Sequence, residues 1–163
     1  MHRYLSQPVN LEKTLKMILI HDLIEAEAGD IPFFEKSARK AAKQKMEQQA
    51  IENIKHTLNS ETGDEIYELW YEFEGAATPE ARFAKALDNL EVQIQHNLAA
   101  FDTWEEIEYE LVYNKMDKYC DHDPFLKELC NQIKEEAENK MIDGGIDVKS
   151  AKARSLRQSR CQV

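Results

Sequence analysis

Apolar residues recur every three or four positions along most of the chain, which is the spacing of one face of an α-helix. The first such segment runs from Leu11 to Ala28, with apolar residues at positions 11, 15, 18, 19, 23 and 24. Gly29 suits the left-handed conformation that often follows a helix, and Pro32 cannot continue one. The pattern therefore predicts a first helix over residues 11–28.

The next segment is more polar. Between residues 35 and 58, apolar side chains stand at every fourth position, namely 42, 46, 50, 54 and 58. So narrow a stripe is typical of a helix on the surface, with its Lys and Gln side chains facing water. A shorter helix is predicted over residues 63–74, because Ile66, Leu69, Trp70 and Phe73 share one face, and Gly75 ends it.

Helix starts mark the second half of the chain. Thr78-Pro79-Glu80 combines an N-cap, a proline at the first helical position and an early acid, and predicts a helix to about residue 100. Asp123-Pro124 repeats the signal for a helix to about residue 141, and a helix over 103–119 lies between them. We expect a single all-α domain over residues 1–145, followed by a disordered basic tail over 146–163.

Composition limits the function. The chain has 163 residues, only five glycines and a net charge of −10, which favours a helical domain without the basic surface that nucleic-acid polymers require. No apolar run approaches the length of a membrane span, no signal peptide is recognised, and the three cysteines lack metal-ligand spacing. These features predict a cytoplasmic protein that does not interact with membranes. A small anionic substrate remains compatible with the charge, since a bound metal can reverse it locally.

Candidate chemistry begins at the end of the first predicted helix. His21 and Asp22 are adjacent, Glu25 follows one turn later, and all three project from one side of the helix. Imidazole and carboxylate are both good ligands for divalent transition metals. An ordinary polar helix end, with solvated acids, is the competing interpretation.

Asp88 is a second acid in an apolar setting. It follows Ala81 and Ala84 on one edge of the helix that starts at Pro79, and core-like positions lie on the other edge. An acid in that place needs a partner. From the residues alone, a metal ion is as good an explanation as an ion pair with Arg82 or Lys85 or a hydrogen bond that caps the backbone.

Three segments, in order, resemble the HD-domain metal-dependent phosphohydrolases, in the branch that contains the 5′-deoxynucleotidases. Residues 21–32, HDLIEAEAGDIP, are similar to the family's HDxxE…GD(I/T)P segment. Residues 70–74, WYEFE, are similar to its WxEFE segment, and residues 78–91 resemble its TPEARFxxALDxL(E/Q) helix. The resemblance covers roughly residues 5–142 and implies a helical HD-domain bundle.

The resemblance also implies roles for individual residues. His21, Asp22 and Asp88 correspond to metal ligands, Glu25 to a catalytic carboxylate and Asp30 to an acid that positions water or substrate. The implied cofactor is a divalent ion such as Mn²⁺ or Co²⁺, with Mg²⁺ also allowed. The implied reaction is the hydrolysis of (deoxy)nucleoside 5′-monophosphates to nucleoside and phosphate, and the implied assembly is a homodimer.

One departure from the family pattern leaves alternatives open. The family signature begins with another His well before the HD pair, and no matching segment precedes His21 here. The sequence is therefore expected to be N-terminally shortened, with a three-ligand site. The alternatives are a different HD-type phosphohydrolase or phosphodiesterase, and a helical binding module with impaired catalysis.

Overall fold

The chain is helical throughout the part that is described. The computed structural model describes residues 1–29, 31, 35 and 37–160, the last four of these by their backbone alone. Within these residues there are eight α-helices, two short 3₁₀ turns and no strand, which confirms the predicted fold class. The helices are α1 Leu11–Ala28, α2 Ala38–Thr57, α3 Ser60–Gly75, α4 Pro79–Leu98, α5 Glu106–Leu111, α6 Asp117–Cys120, α7 Pro124–Asp143 and α8 Val148–Arg160. None of them is long and apolar enough to cross a membrane.

The chain divides into two compact units, and the division falls inside α4. The first unit is Val9–Lys85, and the second combines Met1–Pro8 with Ala86–Val163. In the first unit α1, α2 and α3 pack against one another in all three pairs. Their shared core consists of buried apolar residues from these helices and the start of α4: Met17, Ile20, Ile24, Ala50, Ile51, Leu69, Trp70, Phe73, Ala81 and Ala84.

Helix α1 buries only part of its apolar surface. Its fully buried positions are Thr14, Met17 and Ile24, with Ile20 nearly so. The leucines at positions 11, 15, 19 and 23 lie on the other side of the helix and are exposed. Asn10 begins the helix, because its side-chain oxygen accepts a hydrogen bond from the Lys13 N–H at 3.1 Å.

Helix α2 is oriented differently from the sequence prediction. Its buried residues are Glu47, Ala50 and Ile51, while Leu58 at the end of the predicted stripe is exposed. The stripe was correct in that Ala50 is buried and Ala42, Met46 and Ile54 are partly buried, but the charged Glu47 also takes an inward position. Lys43 and Glu47 face inward because Lys43 pairs with the Glu25 carboxylate of α1, and Glu47 pairs with Lys43. The helix also starts at Ala38 rather than residue 35, because Ser37 caps it.

In the second unit α7 packs against α6 and α8, and α5 packs against α8. Asp123 accepts hydrogen bonds from the backbone N–H groups of Phe125 and Leu126, which confirms the predicted N-cap. The helix predicted over residues 103–119 is wrong as a single element. It is divided into α5 and α6, and the buried side chains of Val112 and Met116 hold the turn between them.

The C-terminal segment differs from the disordered tail that was predicted. Residues 148–160 form α8, in which Ala151 is fully buried and Ser155 is 1% exposed. The Arg154 Nε donates a hydrogen bond to the buried Glu110 carboxylate at 2.7 Å, so a charge that looked solvated in the sequence holds the helix in place. The predicted domain boundary at residue 145 stays a prediction.

Candidate metal centre

Helix α1 presents His21 and Asp22 from consecutive positions. The His21 side chain is only 12% exposed, and its ring stacks on Phe73 of α3 with the ring centroids 4.5 Å apart. Phe73 is itself buried in the core of the first unit. The aromatic contact therefore fixes the His21 ring, whereas the neighbouring Asp22 is exposed.

Helix α4 carries Asp88. The helix begins as its sequence predicts, with the Ala81 N–H donating to the Thr78 hydroxyl at 3.2 Å. Ala81 and Ala84 are fully buried. Their small side chains let the first turns of the helix pack closely against its neighbours. Asp88 follows one turn after Ala84, is partly buried, and accepts a hydrogen bond from the Asn89 amide at 3.2 Å.

The three predicted metal ligands come together. One donor atom from each of His21, Asp22 and Asp88 can be chosen such that all three lie within 4.8 Å of one another. No other group of three or more His, Cys, Asp and Glu side chains in the described part of the chain meets this condition. Their assignment as ligands stays a prediction, and the structure supplies the proximity that it requires.

The donor set fits a divalent transition metal. Ligand atoms bound at about 2.0–2.2 Å lie within roughly 4.4 Å of one another, so small side-chain adjustments would suffice here. One imidazole nitrogen and two carboxylate oxygens match the preferences of Mn²⁺, Co²⁺ and Zn²⁺ better than those of Ca²⁺, which favours oxygen alone. The ring stacking on Phe73 supplies the orientation that a ligating His needs.

Glu25, the predicted catalytic carboxylate, lies in an ionic group next to His21. Its Oε1 is 3.7 Å from His21 Nε2 and accepts a hydrogen bond of 2.6 Å from Lys43 Nζ. Lys43 also pairs with Glu47, at 3.2 Å. Burial would lower the pKa of Lys43, but the hydrogen bond to Glu25 and the charges of both carboxylates outweigh it and raise that pKa above its ordinary value.

Sequence reasoning missed Lys43 and Glu47. Both stand on a helix that looks solvated, and a Lys–Glu pair four residues apart is common on exposed helix faces. Here Glu47 is buried and Lys43 is partly buried. The sequence signal for them is that Lys43 and Glu47 share a helix face with Ala50. The prediction of an apolar stripe at every fourth position overlooked this face. Asp30, the other predicted catalytic acid, lies outside the described residues.

Comparison with known proteins identifies the fold family. Residues 1–130, most of the chain, match the family described as HD domain. The chain belongs to this family. The crystal structure of a protein described as a predicted metal-dependent phosphohydrolase, from Magnetospirillum magnetotacticum MS-1, is similar to this HD domain with a TM-score of 0.63 and 25% sequence identity. The similarity covers 85% of this chain and 69% of that one.

Curated relatives resemble part of this HD domain. It is 42% identical over 87 residues to the 5′-deoxynucleotidase HDDC2 of Danio rerio, a match that covers 53% of this chain and 43% of that protein. It is 38% identical over 91 residues to the 5′-deoxynucleotidase hdd1 of Schizosaccharomyces pombe, covering 53% of this chain and 46% of that protein. The matched region thus spans less than half the length of these relatives.

Proposed function

We propose that this HD domain is a metal-dependent phosphohydrolase that converts (deoxy)nucleoside 5′-monophosphates to nucleoside and phosphate. The observation that carries the proposal is the convergence of the His21, Asp22 and Asp88 donor atoms within 4.8 Å. The names of the curated relatives support the choice of substrate class. We further propose that the protein acts in the cytoplasm, as a homodimer, on small nucleotides rather than on nucleic-acid polymers or membranes.

His21, Asp22 and Asp88 would hold the metal, for which Mn²⁺ and Co²⁺ are the first candidates and Mg²⁺ another. When bound, such an ion neutralises charge on phosphoryl oxygens and activates water towards phosphorus. Water adds its oxygen to phosphorus while the bond from phosphorus to the 5′ oxygen breaks. The leaving 5′ oxygen takes up a proton, so the products are a nucleoside and inorganic phosphate.

Glu25 is suited to the proton transfers of this reaction. A carboxylate one turn from two ligands can accept a proton from the attacking water and return it to the leaving oxygen. Lys43 engages its Oε1 at 2.6 Å, so the proton would be carried at Oε2. Asp30 keeps its proposed role of positioning water or substrate.

The test measures metal content and hydrolysis together. Purified protein loaded with Mn²⁺ or Co²⁺ is expected to release phosphate from dAMP, dGMP and dTMP. Asp88→Ala is expected to lose most of its bound metal and to reduce kcat/KM at least 100-fold, because one of three ligands is removed. Asp143→Ala changes an exposed acid at the end of α7 in the same way and should alter neither quantity.

The outcomes separate the alternatives. Cleavage of phosphodiesters alone would replace the nucleotidase proposal with another HD-type activity. Metal binding without any hydrolysis would indicate a helical binding module. Equal metal content in the wild type and Asp88→Ala would contradict the metal site itself.

A further inference from the structure

We propose that Lys43 is a positioning residue for catalysis, which holds the Glu25 carboxylate in place while Glu47 holds Lys43. This inference rests on the proposed function, in which Glu25 moves protons. It extends the site from the metal-binding helices to α2. Neither Lys43 nor Glu47 has a role implied by the sequence resemblance.

The contacts form a chain of three charges. Lys43 Nζ donates to Glu25 Oε1 at 2.6 Å and lies 3.2 Å from Glu47 Oε1. The side chains of Glu25 and Lys43 are 22% and 23% exposed, and that of Glu47 is 11% exposed. Partly buried charges attract one another more strongly than fully exposed ion pairs, which favours this arrangement.

The core fixes the position of Lys43. Ala50 and Ile51 of α2 are buried in the shared core of the first unit, and Lys43 stands two turns before them on the same rigid helix. Glu47 lies between, one turn from both. A packed helix, rather than a flexible loop, therefore places the Lys43 ammonium group next to Glu25. Catalytic groups need such precise positioning.

The contacts on Glu25 also select one of its oxygens. Both Lys43 and His21 make their closest approach to Oε1. Among the described residues, no hydrogen bond to Oε2 accompanies them, so this oxygen remains for water or substrate. Without Lys43, Glu25 would lose the contact that fixes its side-chain rotation, and Oε2 would no longer be directed.

The experiment compares three variants that carry the same metal. Lys43→Met removes the charge and keeps a side chain of similar length, Lys43→Arg keeps the charge, and Lys45→Met makes the first change at an exposed position two residues away. Phosphate release from dAMP is measured with Mn²⁺ content determined for each protein. Crystal structures of the wild type, Lys43→Met and Lys45→Met report the conformation of Glu25.

We expect kcat of Lys43→Met to fall about 10–100-fold at unchanged metal content and nearly unchanged KM, in line with losses at residues that orient functional groups. Lys43→Arg should recover part of this loss, and Lys45→Met should match the wild type. In the Lys43→Met crystal the Glu25 carboxylate should leave its position, whereas Lys45→Met should keep it.

Two outcomes overturn the inference: an unchanged kcat in Lys43→Met, or a Glu25 carboxylate that keeps its position there. A wild-type protein that hydrolyses no phosphomonoester would instead refute the proposed function. In that case the crystal structures still decide whether Lys43 positions Glu25. A variant that fails to fold is recognised by circular dichroism, and Glu47→Gln then serves as the milder perturbation, with a smaller fall in kcat expected.

Discussion

Phe73 joins the core of the first unit to His21, so shortening it to leucine perturbs both. Its ring is 1% exposed, stacks on the His21 ring and lies 4.2 Å from Lys85 Nζ. Phe73→Leu removes an aromatic contact of about 0.5–1.5 kcal/mol, a cation–π contact of about 0.5–1 kcal/mol and roughly 1 kcal/mol of packing. We expect the free energy of unfolding to fall by about 2–3.5 kcal/mol.

The same substitution should weaken metal binding. His21 keeps its donor atoms in Phe73→Leu but loses the stacking that orients its ring, and losses of such support typically reduce metal affinity about 10–100-fold. Urea unfolding without metal measures the stability term, and Mn²⁺ titration at a temperature where the variant is folded measures the affinity term.

Phe83→Leu is the matched control. Phe83 is 2% exposed, almost as buried as Phe73, but no stacking with a His ring is found for it among the described residues. It should lose stability without losing Mn²⁺ affinity. If Phe73→Leu bound Mn²⁺ as tightly as Phe83→Leu, the stacking would have no part in the metal site.

Three further predictions concern stability. Asp123→Ala should lower the free energy of unfolding by about 2–3 kcal/mol at pH 7, because the helix cap and the Ser6 N–H bond of 2.7 Å are both lost. Burial alone would raise the pKa of Asp123, but its hydrogen bonds hold that pKa below the ordinary value. Its contribution is therefore complete above the unfolded-state pKa near 4 and is lost as the pH falls through the lower folded-state pKa. The wild type and variant should converge in urea unfolding at low pH, and a constant difference would contradict the argument. Gly63→Ala should destabilise by about 1–2 kcal/mol, since its Cβ would lie 2.6 Å from the Lys55 carbonyl oxygen. Gly75→Ala has open space around its Cβ, and thermal melts should show it at least as stable as the wild type.

Local signals in the sequence predicted the helix starts well. Thr78-Pro79 and Asp123-Pro124 mark the beginnings of α4 and α7, because capping depends on a few neighbouring residues. The end of α1 was also predicted correctly, because Gly29 follows the helix and has a positive φ.

Orientation and tertiary contacts were harder to predict. Helix α8 was predicted to be a disordered tail because it has few apolar positions. In the structure Ala151 is buried, and Arg154 donates a hydrogen bond to Glu110, which is distant in sequence. The single helix over 103–119 failed for a related reason, since its turn depends on the burial of Val112 and Met116.

The residues of the candidate site also differ in how well the sequence predicted them. His21, Asp22 and Asp88 were proposed from residue chemistry and from the family resemblance, and the structure brings their donor atoms together. Lys43 could not be found in that way. Its proposed role depends on a partner 18 residues away on another helix, and the predicted apolar stripe hid the face that it shares with Ala50.

The ionic group of Glu25, Lys43 and Glu47 sets stability against activity at these positions. Replacing buried ion pairs with apolar side chains of similar volume is often neutral or stabilising by about 1–4 kcal/mol. Selection for thermal resistance alone would therefore favour apolar side chains at these positions, and under the proposed function the resulting domain would be more stable but less active. If variants of this HD domain retain all three charges, they have been selected for catalysis rather than for stability alone.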